Sequence, residues 1–169
     1  MSPAVSAGRL AQMEEARVSF SEEEIAYLRS QRLARVATVS AGGQPDVVPV
    51  VFEFDGTYVY VGGFAPAKSR KYRNVRAGNA KVAIVIDDLL SVSPWRPRCL
   101  RIYGKAELVE RQGRFGWAVY MRITPILSWS FNLEGRPFTH DCEPYFRRTV
   151  HLVGARQGAQ PVRHPAARS

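Results

Sequence analysis

The sequence predicts a mainly β protein with short helices, folded as a six-stranded antiparallel barrel. One observation is the strict alternation of Cys99–Val109, where Leu100, Ile102, Ala106 and Leu108 share one face and polar residues the other. Another is the pair of strand-like segments on either side of Gly42-Gly43, which is typical of a hairpin. Six strands with few helices can bury an apolar face by closing into a barrel.

Length and composition are typical of a globular domain. The chain has 169 residues, of which 46% are hydrophobic and 23% charged. We expect an N-terminal arm at residues 1–19, one domain at 20–153 and a disordered basic tail at 154–169. No run is apolar enough for a membrane helix, and two cysteines without a metal-ligand pattern predict neither disulfides nor a metal site. We therefore expect a cytoplasmic protein.

Local signals predict the individual elements. Ser21 and Glu24 form a capping box, which predicts a helix from Glu22 to about Ser30. Pro49 lacks an N–H, so the second strand is expected to be bulged there or to face away from a neighbour on that side. Strands are predicted at Leu33–Val39, Val47–Phe54, Thr57–Val61, Lys81–Ile86, Cys99–Val109 and Ile126–Phe131.

The segments between the later strands are predicted from breakers and helix formers. Asp87-Asp88 and Ser91–Pro94 are expected to break the sheet. Trp117–Ile123 is predicted to be a helix that Pro125 ends. Residues 132–144 are expected to form a polar loop, after which Tyr145–Val153 adds an edge strand.

The strongest functional signal is a basic segment, Ala67–Arg76. It contains five cations within nine residues and follows Gly62-Gly63, where backbone can approach a ligand closely. A helix start carries unpaired N–H groups, and lysine and arginine there add charge-assisted hydrogen bonds to a phosphate. The alternative is a solvated basic helix with Tyr72 and Val75 as its only core contacts.

The net charge is +9, and many of the cationic residues lie in local clusters. Arg96-Pro97-Arg98 with Arg101 forms a second cluster, and two separate clusters suit a small anionic ligand at least as well as a continuous groove. A barrel that binds single-stranded nucleic acid needs stacking aromatics interleaved with the cations on its strands. We expect that the strand aromatics do not lie beside the cations here, and we rank nucleic-acid binding lowest.

The order of these motifs resembles the flavin-binding split barrels, the pyridoxamine-phosphate-oxidase-like proteins. The details are most similar to an actinobacterial subgroup of deazaflavin (coenzyme F-420) dependent enzymes, which carry similar Val47–Val50, Trp95–Arg98 and late Ser-Trp segments. The resemblance covers about residues 20–131. Cys99 departs from it, because a glycine is expected after Trp-Arg-Pro-Arg.

The resemblance implies a homodimeric FMN-binding split barrel with the cofactor in a groove between two barrels. The basic segment would bind the cofactor phosphate, the second strand would line the ring through backbone groups, and the Trp-Arg-Pro-Arg residues would approach from the partner chain. The cofactor-binding residues so implied are Arg35, Val48, Pro49, Val50, Val51, Gly62, Gly63, Lys68, Ser69, Arg70, Lys71, Trp95 and Arg98.

Three functions remain open. The first is an F-420-dependent oxidoreductase that transfers a hydride to or from a small organic substrate. The second is an FMN-dependent oxidase or flavin-binding protein, and the third is a nucleic-acid-binding barrel that is not an enzyme. A cofactor carries the hydride chemistry itself, so the absence of a catalytic triad is expected, and we assign no catalytic residue from the sequence. The titratable run His140–Glu143 is expected to be loop rather than a site, since its spacing fits no metal motif.

Overall fold

Seven strands and two short α-helices form the described part of the chain. The structure is a computed structural model that describes residues 20–141 and 146–152. The expected arm and tail, together with Cys142 and Glu143, lie outside these residues. In chain order the elements are α1 (Glu22–Ser30), β1 (Leu33–Val39), β2 (Pro45–Phe54), β3 (Val59–Val61), a 3-10 turn (Pro66–Lys68), α2 (Arg70–Arg76), β4 (Lys81–Val92), β5 (Trp95–Gly113), β6 (Gly116–Phe131) and β7 (Phe146–Val150).

The sheet closes on itself. Its order is β3-β2-β1-β4-β5-β6-β7, and β3 also pairs with β6, so six antiparallel strands complete a barrel. β7 lies beyond the closure and pairs with β6 at Leu127–Phe131. The predicted six-stranded barrel is confirmed. No helix in the described ranges is long and apolar enough to cross a membrane.

Inward-facing side chains fill the barrel. Leu100 and Ile102 on β5 are fully buried, as the alternation predicts, and Ile84 on β4 packs into the same cluster. The capping box is present, with the Ser21 N–H donating to Glu24 Oε2 at 2.9 Å and the Glu24 N–H donating to Ser21 Oγ at 3.2 Å. The capping box fixes the start of α1, whose residues Tyr27 and Leu28 are buried against the barrel.

The inner face of α2 is fixed to the barrel by two polar contacts. Tyr72 is fully buried, and its hydroxyl donates to the Val61 carbonyl at 2.7 Å and accepts from the Met121 N–H at 3.2 Å. Asn74 Nδ2 donates to Thr38 Oγ1 at 2.9 Å. Because these residues point inward, the cations of the basic segment are left on the outer side of α2.

The predicted helix at Trp117–Ile123 is wrong. These residues belong to β6, which pairs with β5 along its length and with β3 at Met121–Ile123. The β5–β6 hairpin turns between Gly113 and Gly116, where Gly116 has a φ of 82°. Pro125 does not end a helix but lies at a bulge in the ladder. Pairing with β5 and β3 therefore overrides the helix-like local pattern.

The predicted break at Asp87-Asp88 is also wrong, since β4 continues to Val92. Both carboxylates have a cationic partner in the sheet. Asp87 Oδ1 lies 2.8 Å from Arg35 Nη1, and Asp88 forms an ion pair with Arg98. Charged residues that would disfavour a strand are neutralised by these cross-strand pairs.

Candidate functional site

The basic segment presents its cations in different environments. Lys68 is exposed, and the Arg70 side chain is 59% exposed with Nη1 3.7 Å from Asp46 Oδ1. The Ser69 hydroxyl is not available to a phosphate in this arrangement, because it donates to the Pro66 carbonyl at 2.7 Å. The cations rather than the serine therefore offer the free donors.

Lys71 is the partly buried cation of the segment. Its Nζ lies 5.9 Å from the centroid of the Tyr72 ring. Burial lowers the pKa of Lys71, and the charge of Asp46 opposes this shift without cancelling it. Burial therefore disfavours the charged form of the Lys71 ammonium group. A bound anion would stabilise its charged form.

The next predicted stretch, Val48–Val51, has a free edge. Val50 is buried and Val48 packs against the core, whereas Pro49 faces outward opposite Arg35. The β1–β2 ladder continues through Pro49 without a bulge, and β3 pairs only with Phe52–Phe54. Within the described residues, the backbone of β2 from Pro45 to Val51 has no strand on its second side. This is compatible with the predicted role of backbone groups there.

The two glycines after β3 differ. A Cβ on Gly62 would lie 2.5 Å from the Tyr120 ring and 2.9 Å from the Phe115 ring, so close packing within the chain already requires glycine there. A Cβ on Gly63 would have open space. Only Gly63 keeps the unobstructed surface that the prediction assumed.

Three predicted residues meet in one cavity, which we call the hairpin cavity. It has a volume of about 430 Å³ and lies beside the end of the β4–β5 hairpin. Arg35, Trp95 and Arg98 of the same chain contribute to it. The full lining is Arg35, Asp87, Asp88, Leu89, Trp95, Pro97, Arg98, Cys99 and Phe131.

Arg98 is held firmly within its own chain. Its Nε donates to Asp88 Oδ1 at 2.9 Å, and its guanidinium carbon lies 4.9 Å from the centroid of the Tyr27 ring. Tyr27 and Gln31 also donate to the Asp88 carboxylate, each at 3.2 Å. The hydrogen bond from Arg98 lowers the pKa of Asp88. Asp88 and Arg98 form one wall of the hairpin cavity, whereas the sequence pattern predicted Asp88 only as a residue that breaks the sheet.

Cys99 is a half-buried residue of the same wall. It pairs with Asp87 on β4 and with Phe131 on β6. Burial raises the pKa of its thiol, and the charge of Asp87 adds to the shift. The thiol is therefore neutral at physiological pH, which does not favour a role as nucleophile.

The outer face of the sheet carries cations beside aromatic rings, whereas the sequence predicted that the strand aromatics would not lie beside the cations. The guanidinium carbon of Arg101 lies 5.2 Å from the Tyr103 centroid, and that of Arg148 lies 6.0 Å from the Trp129 centroid. Both rings are partly covered by these arginines. Elsewhere, His140 and Asp141 are exposed, and the described residues contain no group of three or more potential metal ligands.

Comparison with known proteins identifies the class. Residues 20–137 match the pyridoxamine 5'-phosphate oxidase family, and the chain belongs to that family. It is 44% identical over 98 residues to a 5a,11a-dehydrotetracycline/5a,11a-dehydrooxytetracycline reductase of Streptomyces rimosus subsp. rimosus, a match that covers 56% of this chain and 68% of that protein. Family and relative together support an oxidoreductase of the flavin-binding type.

Solved structures show the same fold. A conserved hypothetical protein of Mycobacterium tuberculosis aligns with a TM-score of 0.55 at 22% identity, covering 76% of this chain and 94% of that one. A protein described as an F-420 reductase aligns with a TM-score of 0.51 at 21% identity, covering 64% of this chain and 98% of that one. At sequence identities of 21–22%, the similarity of these two structures to this chain shows a shared barrel fold.

The Asp88 cluster makes a prediction about pH. Because the folded-state pKa of Asp88 is depressed, its ionised form stabilises the fold above the ordinary carboxyl pKa, and this stability is lost as the pH falls through the folded pKa. We expect Asp88→Asn to lower the unfolding free energy by about 1–3 kcal/mol at neutral pH, and by much less in acid. Urea unfolding at both pH values measures the difference.

Asp87→Asn is the matched control. The Asp87 side chain is 44% exposed in its pair with Arg35, and an exposed pair contributes about 0–1 kcal/mol. A loss of stability in Asp88→Asn that is equal at the two pH values, or no larger than in Asp87→Asn, would contradict the assignment.

Proposed function

We propose that the protein is a coenzyme F-420-dependent oxidoreductase acting on a small organic substrate. The observation that carries the proposal is the cation cluster around the start of α2, where Lys68 and Arg70 are exposed and Lys71 is half-buried beside the Tyr72 ring. Family membership and the reductase relative support an oxidoreductase. FMN is the alternative cofactor, because the family is named for a flavin-type oxidase.

The residues of the basic segment fit a phosphate. Lys68 and Arg70 are accessible. Burial disfavours the charged form of Lys71, and contact with a bound anion would stabilise that form again. Tyr72 anchors this segment to the barrel, so the cations are positioned before a ligand arrives. We assign the cofactor phosphate to Lys68, Arg70 and Lys71.

The ring of the cofactor would lie between the basic segment and the hairpin cavity. α2 contacts β1 through Asn74 and Thr38, and Arg35 stands three residues earlier on β1, about 10 Å away at the rise of a strand. Pro49 lies opposite Arg35, on the free edge of β2. The surface from α2 along β1 to Arg35 and Pro49 is therefore long enough to hold a phosphate at one end and a planar ring at the other.

A bound F-420 or FMN would supply the hydride chemistry. The chain's part is to bind and orient the cofactor and to limit access of water. Trp95 and Phe131 give the hairpin cavity apolar surface, while Arg98 keeps its wall in place through Asp88. No proton-transfer role is assigned to Cys99, whose raised pKa keeps it neutral.

We also propose a homodimer. One cross-strand row on the outside of the barrel is apolar and runs through Val47, Ala37, Ala83, Tyr103 and Leu127. Val47 is 61% exposed and Tyr103 40% exposed in the single chain. A second copy covering this face would also complete a groove beside the free edge of β2.

The dimer prediction is tested by sedimentation. We expect a dimer at micromolar concentration, and Tyr103→Asp should shift it toward monomer because a carboxylate would be desolvated in the interface. Trp117→Asp is the control, since Trp117 lies at the β5–β6 turn. A wild-type monomer that retains full cofactor affinity would contradict the proposal.

The phosphate assignment predicts a selective loss of cofactor binding. Lys71→Ala and Arg70→Ala should each weaken F-420 binding about ten- to hundredfold, because a charge-assisted contact contributes roughly 1.5–3 kcal/mol. Stability should change little. Lys81→Ala, an exposed cation at the start of β4, is the matched control. Fluorescence titration gives the dissociation constants, and unchanged values for both variants would remove the assignment.

A salt titration separates F-420 from FMN. F-420 carries a tail of carboxylates that exposed cations can bind, and exposed charges more than about 8–10 Å apart are largely screened at physiological ionic strength. We expect F-420 affinity to fall more steeply with salt than that of its tail-less precursor or of FMN. If FMN binds most tightly at every salt concentration, it replaces F-420 as the cofactor. If only a single-stranded oligonucleotide binds, the enzyme proposal is wrong.

A further inference from the structure

Three arginines lie in one cross-strand row on the outer face of the sheet. Arg35 on β1 pairs with Val85 on β4, which pairs with Arg101 on β5. Arg101 pairs in turn with Trp129 on β6, and Trp129 pairs with Arg148 on β7. The residues before and after these positions on β1, β4, β5 and β6 are buried, so the row points away from the core. We call Arg35, Arg101 and Arg148 the arginine row.

Two members of the arginine row have no acidic partner in the described part of the chain. Arg35 is paired with Asp87, whereas Arg101 and Arg148 take part in none of the ion pairs among residues 20–141 and 146–152. Both are exposed. Apart from Asp87, their outward neighbours on β4 to β7 are uncharged, namely Ala83, Val85, Cys99, Tyr103, Leu127, Trp129, Phe131, Phe146 and Val150. An anion bound here would therefore meet two guanidinium groups and no carboxylate that is not already paired.

The two exposed cations lie on either side of Trp129. Arg101 and Arg148 are two strands apart, which places their Cα atoms about 10 Å from each other. The guanidinium carbon of Arg148 is 6.0 Å from the centroid of the Trp129 ring, and that of Arg101 is 5.2 Å from the centroid of the Tyr103 ring. Nucleotide bases would have to displace these arginines before they could stack on the rings, whereas a small anion would not. The arrangement therefore favours a small anion over nucleic acid.

The arginine row borders the hairpin cavity on the same face of the sheet. Arg35 belongs to both. Cys99 and Phe131, which line the cavity, precede Arg101 and follow Trp129 by two residues, a distance of about 7 Å along each strand. The charge of Arg101 acts on this wall, since it opposes the rise in the pKa of the Cys99 thiol that burial and Asp87 cause. Cations and cavity wall thus adjoin and face the same side.

We propose that the hairpin cavity and the arginine row together bind an amphipathic anion. Its apolar body would lie against Cys99 and Phe131, in a cavity whose volume of about 430 Å³ is typical of small-molecule sites. Its carboxylate or other acidic group would accept hydrogen bonds from Arg101 and Arg148. That this anion is the substrate rests on the proposed function. That an amphipathic anion binds at all rests on the surface alone, and the two statements are tested separately.

The test compares two probes that share one apolar body, 4-phenylbutyrate and the uncharged 4-phenylbutyramide. Calorimetry on the full chain should show at least tenfold tighter binding of the carboxylate. Arg101→Gln and Arg148→Gln should each weaken the carboxylate about tenfold, as for one charge-assisted hydrogen bond, and leave the amide unchanged. Saturating F-420 should not displace the carboxylate, because a substrate has to bind together with the cofactor.

Lys105→Gln is the matched control. Lys105 is an exposed cation on the same strand as Arg101, four residues further along β5, so this variant removes the same charge outside the site. It should bind 4-phenylbutyrate as the wild type does. An equal loss of affinity in Lys105→Gln would show that net charge, and not the arginine row, attracts the probe, and would overturn the proposal.

The other outcomes separate the anion site from the cofactor proposal and from other occupants. If F-420 fails to bind but the arginine variants still weaken 4-phenylbutyrate, the anion site is supported and the cofactor proposal fails. Displacement of the probe by F-420 would assign the row to the cofactor and overturn the proposal. Equal affinity for the two probes would also overturn it, as would variants that lose dimerisation or oligonucleotide binding while keeping wild-type affinity for 4-phenylbutyrate.

Discussion

The buried hydroxyl of Tyr72 joins the two strands at which the barrel closes. The closing ladder between β3 and β6 is short, with only Val59–Val61 and Met121–Ile123 in register. Tyr72 donates to the carbonyl at one side of this seam and accepts from an N–H at the other, and burial raises the pKa of its hydroxyl to about 12. Because Tyr72 belongs to α2, the contact that closes the barrel also positions the basic segment.

At the other end of the candidate site, contacts of Asp88 fix the position of the β4–β5 hairpin. Asp88 receives hydrogen bonds from Arg98 on β5 and from Tyr27 on α1, which holds the β4–β5 hairpin against the helix. The hairpin in turn holds the segment after β6 through Arg96 and Pro97. The hairpin cavity and the segment after β6 are therefore joined by one continuous set of contacts.

Local signals predicted the elements that local interactions determine. The Ser21–Glu24 capping box and the alternation of β5 both appear in the structure as expected. The segment Trp117–Ile123 was predicted as a helix, but it pairs with β5 across a hairpin turn and with the more distant β3. Asp88 was predicted as a breaker because the sequence pattern did not indicate that Arg98 would neutralise it across the sheet. The resemblance implied Arg35, Trp95 and Arg98 as cofactor residues, and all three line one cavity of a single chain. The approach of Trp95 and Arg98 from a partner chain stays a prediction. The segment after β6 is fixed by contacts of Asn132 and Gly135 with the β4–β5 hairpin, and no local sequence pattern predicts these contacts.

Hydrogen–deuterium exchange upon addition of F-420 tests the central claim most directly, namely that the basic segment and the free edge of β2 hold the cofactor. We expect slower exchange at residues 67–76, which a bound phosphate would cover, and at residues 45–51, where the ring would cover backbone groups that have no partner strand in the described chain. Exchange near the β5–β6 turn should stay unchanged. Saturating F-420 with no protection at residues 67–76 would contradict the account.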